Sequence, residues 1–269
     1  MKYVWGLVAA GMCAGNVEAA PKVVHQALEQ GGFYVATVPA GSVVTLDGIA
    51  VETGPKGELV VGFDRNAKSK AVLKVCKEGN CEETVLNVKA RVFKTQNVTG
   101  IPQKTVDPDP AEQRIMEEDN AAVKAARDAA DKGARWRTAY MEAFSLPIKA
   151  PTSGVFGSRR TYNGQERSWH KGHDLAAKTG TPIKAPADGV VRLARSTFMS
   201  GNLVMIDHGG ALTTVYAHMD TMGVKVGDVV KRGDVIGTVG TTGRSSGPHL
   251  HWGAYWKSTP IDPILWVSE

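Results

Sequence analysis

Short apolar runs of four or five residues occupy both ends of the chain, and one long polar stretch separates them. Near the start the runs are Val43-Val44-Thr45-Leu46, Leu59-Val60-Val61-Gly62-Phe63, Ala71–Val75 and Thr84–Val88. Asp47-Gly48 and Gly54-Pro55-Lys56-Gly57 punctuate them, which predicts short strands joined by tight turns and a small antiparallel sandwich over 20–107. Val106-Asp107-Pro108-Asp109-Pro110 then breaks the pattern, because proline disfavours helix in the residue before it and suits a helix start. Ala111–Phe144 is rich in Ala, Glu, Lys and Arg, lacks proline and is expected to be mostly helix, interrupted near Gly133. Its stripe of Ile115, Ala122, Val123, Ala126, Ala129 and Ala130 is thin, so 108–145 reads as a connector or arm that packs weakly. From Leu146 onward glycine, proline and short strands return. The expected strands are Gly189–Ala194, Leu203–His208, Leu212–His218, Val235–Val239 and His249–Trp256. The fold class that follows is mainly β: a small sandwich, a helical connector and a second antiparallel β domain over 146–269.

The extreme N-terminus has a different pattern. Lys2 supplies a charge, Tyr3–Met12 an apolar stretch, and Val17-Glu18-Ala19 a small-residue cleavage site, which predicts an export signal over 1–19. The apolar stretch is short for a spanning helix, and no other segment reaches that length, so no transmembrane segment is expected in the mature chain. Removing the signal removes Cys13 and leaves Cys76 and Cys81. Two cysteines with four residues between them suit a disulfide across a hairpin turn in an oxidising compartment.

Composition adds limits. A length of 269 residues with 42% hydrophobic and 22% charged positions excludes a disordered or collagen-like chain and suggests about two domains. The net charge of +5 is uneven. Residues 145–269 carry 14 Lys and Arg against 9 Asp and Glu, whereas 109–143 carry 6 against 8. An anionic partner is implied, but no basic run with interleaved aromatics appears, so nucleic acid is not expected.

The histidines change the picture most, since six of the seven lie beyond residue 169. In His249-Leu250-His251, positions i and i+2 of a strand face one way, so both imidazoles reach one point. His170 and Asp174 flank Lys171-Gly172-His173, and the glycine is expected to let the two side chains converge. An imidazole and a carboxylate are ordinary zinc ligands, and one histidine of the 249/251 pair completes three, leaving a fourth position open for catalysis. On a strand, His218 shares a face with Tyr216, and it remains outside the metal shell with the other member of the pair. Arg159, Arg160, Tyr162 and Asn163 precede the His170 motif on an expected loop, and an arginine there suits a substrate carboxylate. Arg159, Tyr162 and Asn163 are the expected substrate contacts. His25 is expected to be solvated, His208 to be solvated or structural in a turn, and His173 to alternate away from the metal.

With these motifs in place, residues from about Val155 to Pro263 resemble the lysostaphin-type zinc metalloendopeptidases that cut peptidoglycan. The matching stretches are Phe156–Arg160, His170–Asp174, Gly180–Ile183, Ala187–Val191, Tyr216–His218 and Gly243–His251. The resemblance implies Zn2+ held by His170, Asp174 and His251, with His218 and His249 as the catalytic pair in a groove. It also implies peptidoglycan peptide stems as the partner, and the Gram-negative-like architecture points to D-alanyl–diaminopimelate cross-links as the bond cut, with glycine bridges as the alternative. The N-terminal architecture is similar to exported Gram-negative members, which implies the periplasm.

Two rival readings have weight. Val224–Gly237 resembles the hairpin of biotinyl and lipoyl carriers, but Lys231 is misplaced for modification and the histidines would go unexplained. A non-catalytic activator of other wall hydrolases on the same fold is the second, and the intact ligand and helper positions argue against it. One regulatory expectation follows from charge: the N-terminal region and acidic helix fold back over the positive groove and limit access, or else dock the enzyme on a wall or an unidentified regulatory protein.

Overall fold

A computed structural model describes residues 20–101, 103–133 and 138–268, and the expected export signal lies outside the described residues. The N-terminal part comprises β1 (Lys22–Ala27), β2 (Phe33–Thr37), β3 (Val43–Leu46), β4 (Ile49–Val51), β5 (Glu58–Gly62), β6 (Lys70–Lys77) and β7 (Asn80–Asn87). These strands form a three-stranded sheet in the order β1-β2-β5 and a four-stranded sheet in the order β4-β3-β6-β7. Period-two burial along β6 sends Ala71, Leu73 and Val75 inward, where they meet Val35, Val44 and Leu59. Cys76 and Cys81 face each other across the β6–β7 hairpin and are disulfide-bonded.

Next come β8 (Thr95–Val98), α1 (Gln103–Val106) and α2 (Pro110–Gly133). Asp109 caps α2, its carboxylate accepting from the backbone N–H groups of Ala111 and Glu112 at 2.8 Å each. The C-terminal part holds β9 (Thr152–Gly154), β10 (Arg159–Tyr162), β11 (Gln165–Arg167), β12 (Gly172–Ala176), β13 (Pro182–Lys184), β14 (Gly189–Thr197), β15 (Gly201–Gly209) and β16 (Leu212–Met222). It is completed by β17 (Val229–Val230), β18 (Val235–Val239), β19 (His249–Trp256) and β20 (Thr259–Ile261). Ten of these make one antiparallel sheet whose main path is β17-β14-β15-β16-β19-β12-β9. β8 pairs in parallel with β10, so residues 95–98 belong to the edge of the groove rather than to the sandwich.

The two faces of the large sheet have different partners. Tyr216, Leu250, Trp252, Trp256 and Ile261 point to one side and join the same apolar core as Phe33, Val35, Leu59 and Val60 of the sandwich. Phe33 stacks on Trp266 at 3.6 Å, and Arg91 pairs with buried Asp262 at 2.9 Å across the same junction. His25 is part of this seam and not solvated: it lies edge-on to Phe33 and Trp266, and its Nε2–H donates to the Tyr140 carbonyl at 2.8 Å. The helix is likewise no loose arm. Ala122, Val123 and Ala126 pack on Leu193, Leu203, Met205, Val215 and Tyr255 of the opposite face. Small side chains let α2 approach closely, and Asp119 fastens it by accepting from Phe198 N–H at 2.7 Å and pairing with Arg195 at 3.0 Å. Ile115 and Ala129 of the expected stripe are exposed instead.

Candidate metal centre and active-site groove

The pairing of β12 with β19 sets Asp174 directly opposite His251. Leu250 is buried in the core, so His249 and His251 both face away from it, as a strand period of two requires. His170 precedes β12 and is pinned by its backbone, which donates to the Ser158 carbonyl and accepts from Gly157 N–H, both at 2.8 Å. Three atoms converge from these positions: His170 Nε2, Asp174 Oδ1 and His251 Nδ1, each 2.9 Å from the other two.

Glycines make room for this cluster. A Cβ on Gly172 would lie 2.7 Å from His251 Cε1, and one on Gly154 would lie 2.4 Å from Asp174 Oδ2. Gly172 therefore acts by yielding space to His251 within an extended strand, which differs from the expected fold of the backbone around it. Burial opposes charge on Asp174, yet hydrogen bonds and charge from His170 and His251 hold its carboxyl well below the usual carboxylate range. Arg160 secures the other oxygen, Nη2 donating to Asp174 Oδ2 at 2.5 Å.

The donor set fits a metal ion. Two imidazoles and a carboxylate are the softness and count expected for a zinc site with an open position. His170 also donates Nδ1–H to the Val155 carbonyl at 3.0 Å, which leaves a lone pair on Nε2 aimed into the cluster. Such a bond to the second ring nitrogen is the usual device for orienting a metal-bound histidine.

His218 and His249 face the cluster with ring centroids 4.8 Å apart. Each donates Nδ1–H to a backbone carbonyl at 2.8 Å, Thr242 for His218 and Gly247 for His249, which leaves Nε2 as the ring atom that faces the groove chemistry. The expected sharing of a face by Tyr216 and His218 does not hold. His218 has φ +62°, and the β15–β16 register slips between Val204 opposite Tyr216 and Asn202 opposite Met219. This bulge turns His218 into the groove, while Tyr216 stays in the core. Burial, aided by the charges of His249 and His251, lowers the pKa of His218 to about 3, so the ring is neutral at pH 7.

The groove in front of these residues has a volume of about 540 Å³ and draws its walls from distant parts of the chain. Gln96, Val98 and Ile101 come from the β8 region, Asn120 from α2, and Arg244 and Ser245 from the loop before β19. Of the expected substrate contacts, Tyr162 lines the groove and Arg159 and Asn163 do not. The segment is the strand β10, not a loop. Arg159 is exposed on it, and Asn163 sits in the following turn with φ +50°, its side-chain amide donating to the Ile101 carbonyl at 2.9 Å. Arg160 reaches inward instead. His173 is buried on the opposite side of β12, its Nε2 2.9 Å from Thr152 Oγ1. His208 is fully buried, not solvated. Asn120 and the β8 residues carry no local sequence signal that ties them to the site, and Arg244 lies within the matching stretch Gly243–His251 but has no role assigned by it.

Comparison with known proteins agrees with this geometry. Residues 168–263 match the model for Peptidase family M23. Over 95 residues the chain is 45% identical to the DD-carboxypeptidase/endopeptidase Mpg of Neisseria meningitidis, covering 35% of this chain and 22% of that protein. Over 122 residues it is 40% identical to the peptidoglycan DD-endopeptidase ShyA of Vibrio cholerae, covering 45% of this chain and 28% of that protein. The chain thus spans about a quarter of the length of these curated relatives. A crystal structure of a Pseudomonas aeruginosa protein assigned to peptidase M23 superposes with a TM-score of 0.69 at 26% identity, covering 91% of this chain and 96% of that one.

Proposed function

Residues 168–263 form a peptidase family M23 domain, and on that premise we propose that the chain is an exported zinc endopeptidase that hydrolyses peptide cross-links of peptidoglycan in the periplasm. The observation that carries the reading is the convergence of His170, Asp174 and His251 on one point faced by the Nε2 atoms of His218 and His249. D-alanyl–diaminopimelate bonds are the proposed substrate, since Mpg and ShyA are both named for DD-endopeptidase activity. The Cys76–Cys81 disulfide suits an oxidising compartment. Among the described residues no helix is long and apolar enough to cross a membrane.

His170, Asp174 and His251 would hold the ion, and Arg160 would keep the carboxylate of Asp174 in its ligating orientation. Bound zinc supplies Lewis-acid polarisation of the scissile carbonyl and lowers the pKa of a water towards about 7. His218 and His249 would move the protons: one accepts a proton at Nε2 from the attacking water and passes it to the leaving amine nitrogen, and the other, when protonated at Nε2, would donate to the developing oxyanion. Their Nδ1–H bonds to carbonyls fix both rings so that only Nε2 takes part. Tyr162, between Arg160 and Arg244, forms the floor against which the peptide lies.

The test is a zinc measurement beside a zymogram on purified peptidoglycan and chromatography of cross-linked muropeptides. The wild-type chain is expected to carry zinc and release uncross-linked stems. His170→Ala and His251→Ala are expected to lose both zinc and activity. His218→Ala and His249→Ala are expected to keep zinc and lose turnover by about 10²–10⁴-fold. Full zinc in His251→Ala would overturn the ligand assignment, and a zinc-loaded wild type that cuts no cross-link would overturn the activity.

A further inference from the structure

Arg160 and Arg244 lie against Tyr162 at one end of the groove, Arg167 adds a third positive charge near Arg244, and Arg160 and Arg167 have carboxylate partners. Arg160 is held by Asp174. Arg167 donates to the Val106 carbonyl at 2.8 Å and pairs with Asp107 at 3.1 Å. Arg244 is different. Its Cζ lies 4.6 Å from the centre of the Tyr162 ring, it lines the groove, and it forms no ion pair among the described residues. Burial lowers its pKa, and the like charges of Arg167 and Arg160 act in the same direction against Tyr162.

A half-buried cation beside two others, without a carboxylate counter-ion, is stabilised when an anionic group arrives to meet it. The stack on Tyr162 and a side-chain hydrogen bond to it offset part of the cost of burial, but neither supplies a carboxylate to a guanidinium that lines the groove. The arginine is also rigidly placed. Its backbone N–H donates to the Met199 carbonyl at 2.8 Å, and the preceding Gly243, at φ +71°, packs so closely that a Cβ would lie 2.3 Å from Gly201 N. The same loop runs through Ser245, whose hydroxyl donates to the Gly247 carbonyl at 2.7 Å, directly into His249. Arg244 and one of the proton-handling histidines are therefore fixed relative to each other.

The substrate chemistry supplies a matching anion. In a D-alanyl–diaminopimelate cross-link, the nitrogen of the scissile amide is bonded to a carbon that also carries a free carboxylate. In a glycine bridge that position is another amide. We infer that Arg244 binds the carboxylate adjacent to the scissile amide and so selects peptide bonds followed by a free D-amino-acid carboxylate. This rests on the proposed peptidase reading and assigns to Arg244 the role that the sequence alone suggested for Arg159. Tyr162 orients the planar fork for a two-point contact, which a lysine does not reproduce.

The test separates binding from catalysis. Acetyl-D-alanyl-D-alanine and its C-terminal amide are titrated by NMR into zinc-loaded His218→Ala protein, in which hydrolysis is suppressed. The acid is expected to bind about 10- to 100-fold more tightly than the amide. Arg244→Met is expected to abolish that difference at unchanged zinc content, and Arg244→Lys to restore part of it. A preference that survives in Arg244→Met, or equal affinity for acid and amide in the parent, overturns the assignment. Cross-link hydrolysis by the protein with intact His218 is followed in parallel. If cross-links are cut but no preference is found, Arg244 alone is misassigned. If an Arg244-dependent preference appears while no cross-link is cut, the activity reading fails and the carboxylate site stands.

Discussion

His208 shows how a single buried imidazole couples the fold to pH. Its Nδ1–H donates to the Asp188 carbonyl at 2.8 Å, and the Thr214 hydroxyl lies 2.7 Å from Nε2. Both bonds are satisfied by the neutral ring, and burial pushes its pKa down to about 4. The folded value lies below the ordinary 6.5, so between those values the unfolded chain binds more protons than the folded one. The stability contribution is complete above pH 6.5 and is lost as pH falls through 4, at up to about 1.4 kcal/mol per pH unit. Denaturant melts at pH 7 and 4.5 are expected to show a smaller drop for His208→Gln than for wild type, and equal drops would remove His208 from the account. Other residue-scale features differ in how visible they are in sequence. His249-Leu250-His251 is legible because a strand's period is local. The duties of Arg160 and Arg244 are not, since their partners are set by how β10 and the loop before β19 meet in space.

At the scale of elements, the site depends on three local choices: the β12–β19 register, the missing Cβ of Gly172 and the bulge at His218. The first is not legible in the sequence, which shows the motifs but neither a strand at Gly172–Ala176 nor its pairing with β19. The second was seen as important but for the wrong physical reason, and the third inverts the alternation that the sequence pattern suggested. Gly172→Ala tests the second. A Cβ 2.7 Å from His251 Cε1 and 2.6 Å from the Trp252 carbonyl must push the ligand ring aside. Zinc affinity measured by competition with a chelator is expected to fall about 10- to 100-fold, the range seen for residues that orient ligands. Unchanged affinity would mean that His251 has slack to move. The α2 helix carries a related lesson. A stripe of alanines looked too poor in apolar bulk to pack, yet small residues are what allow a helix to lie close against a flat sheet face.

For the whole molecule, the decisive feature is the continuous apolar seam between the sandwich and the large sheet. A charge argument placed the N-terminal region over the groove, but the sandwich packs on the face turned away from His249 and His251. What reaches the groove is the β8 segment and Asn120 of α2, and these form its walls. Leu146–Glu269 alone would expose Trp256, Ile261 and Trp266 and lack those walls. Burial of each such side chain contributes about 1.5–3 kcal/mol, so the fragment is expected to aggregate or to melt well below the chain starting at Ala20. Thermal melts and light scattering check this. A monomeric fragment with an unchanged Tm would show that the seam is dispensable. The sequence marked the β-rich ends and the helix between them, but a core shared across 200 residues leaves no local trace.

The position of β19 has a consequence in time. It is the strand that carries His249 and His251, and it lies in the large sheet between β16 and β12, both of which precede it in the chain. Its neighbours can adopt strand conformation as they emerge, but they cannot close around a strand that has not been made. Pairings of such long sequence separation also form late in folding. His251 thus meets Asp174 and His170 only once β19 has taken its place between β12 and β16, so the three-residue cluster assembles after the strands that flank β19 have been made.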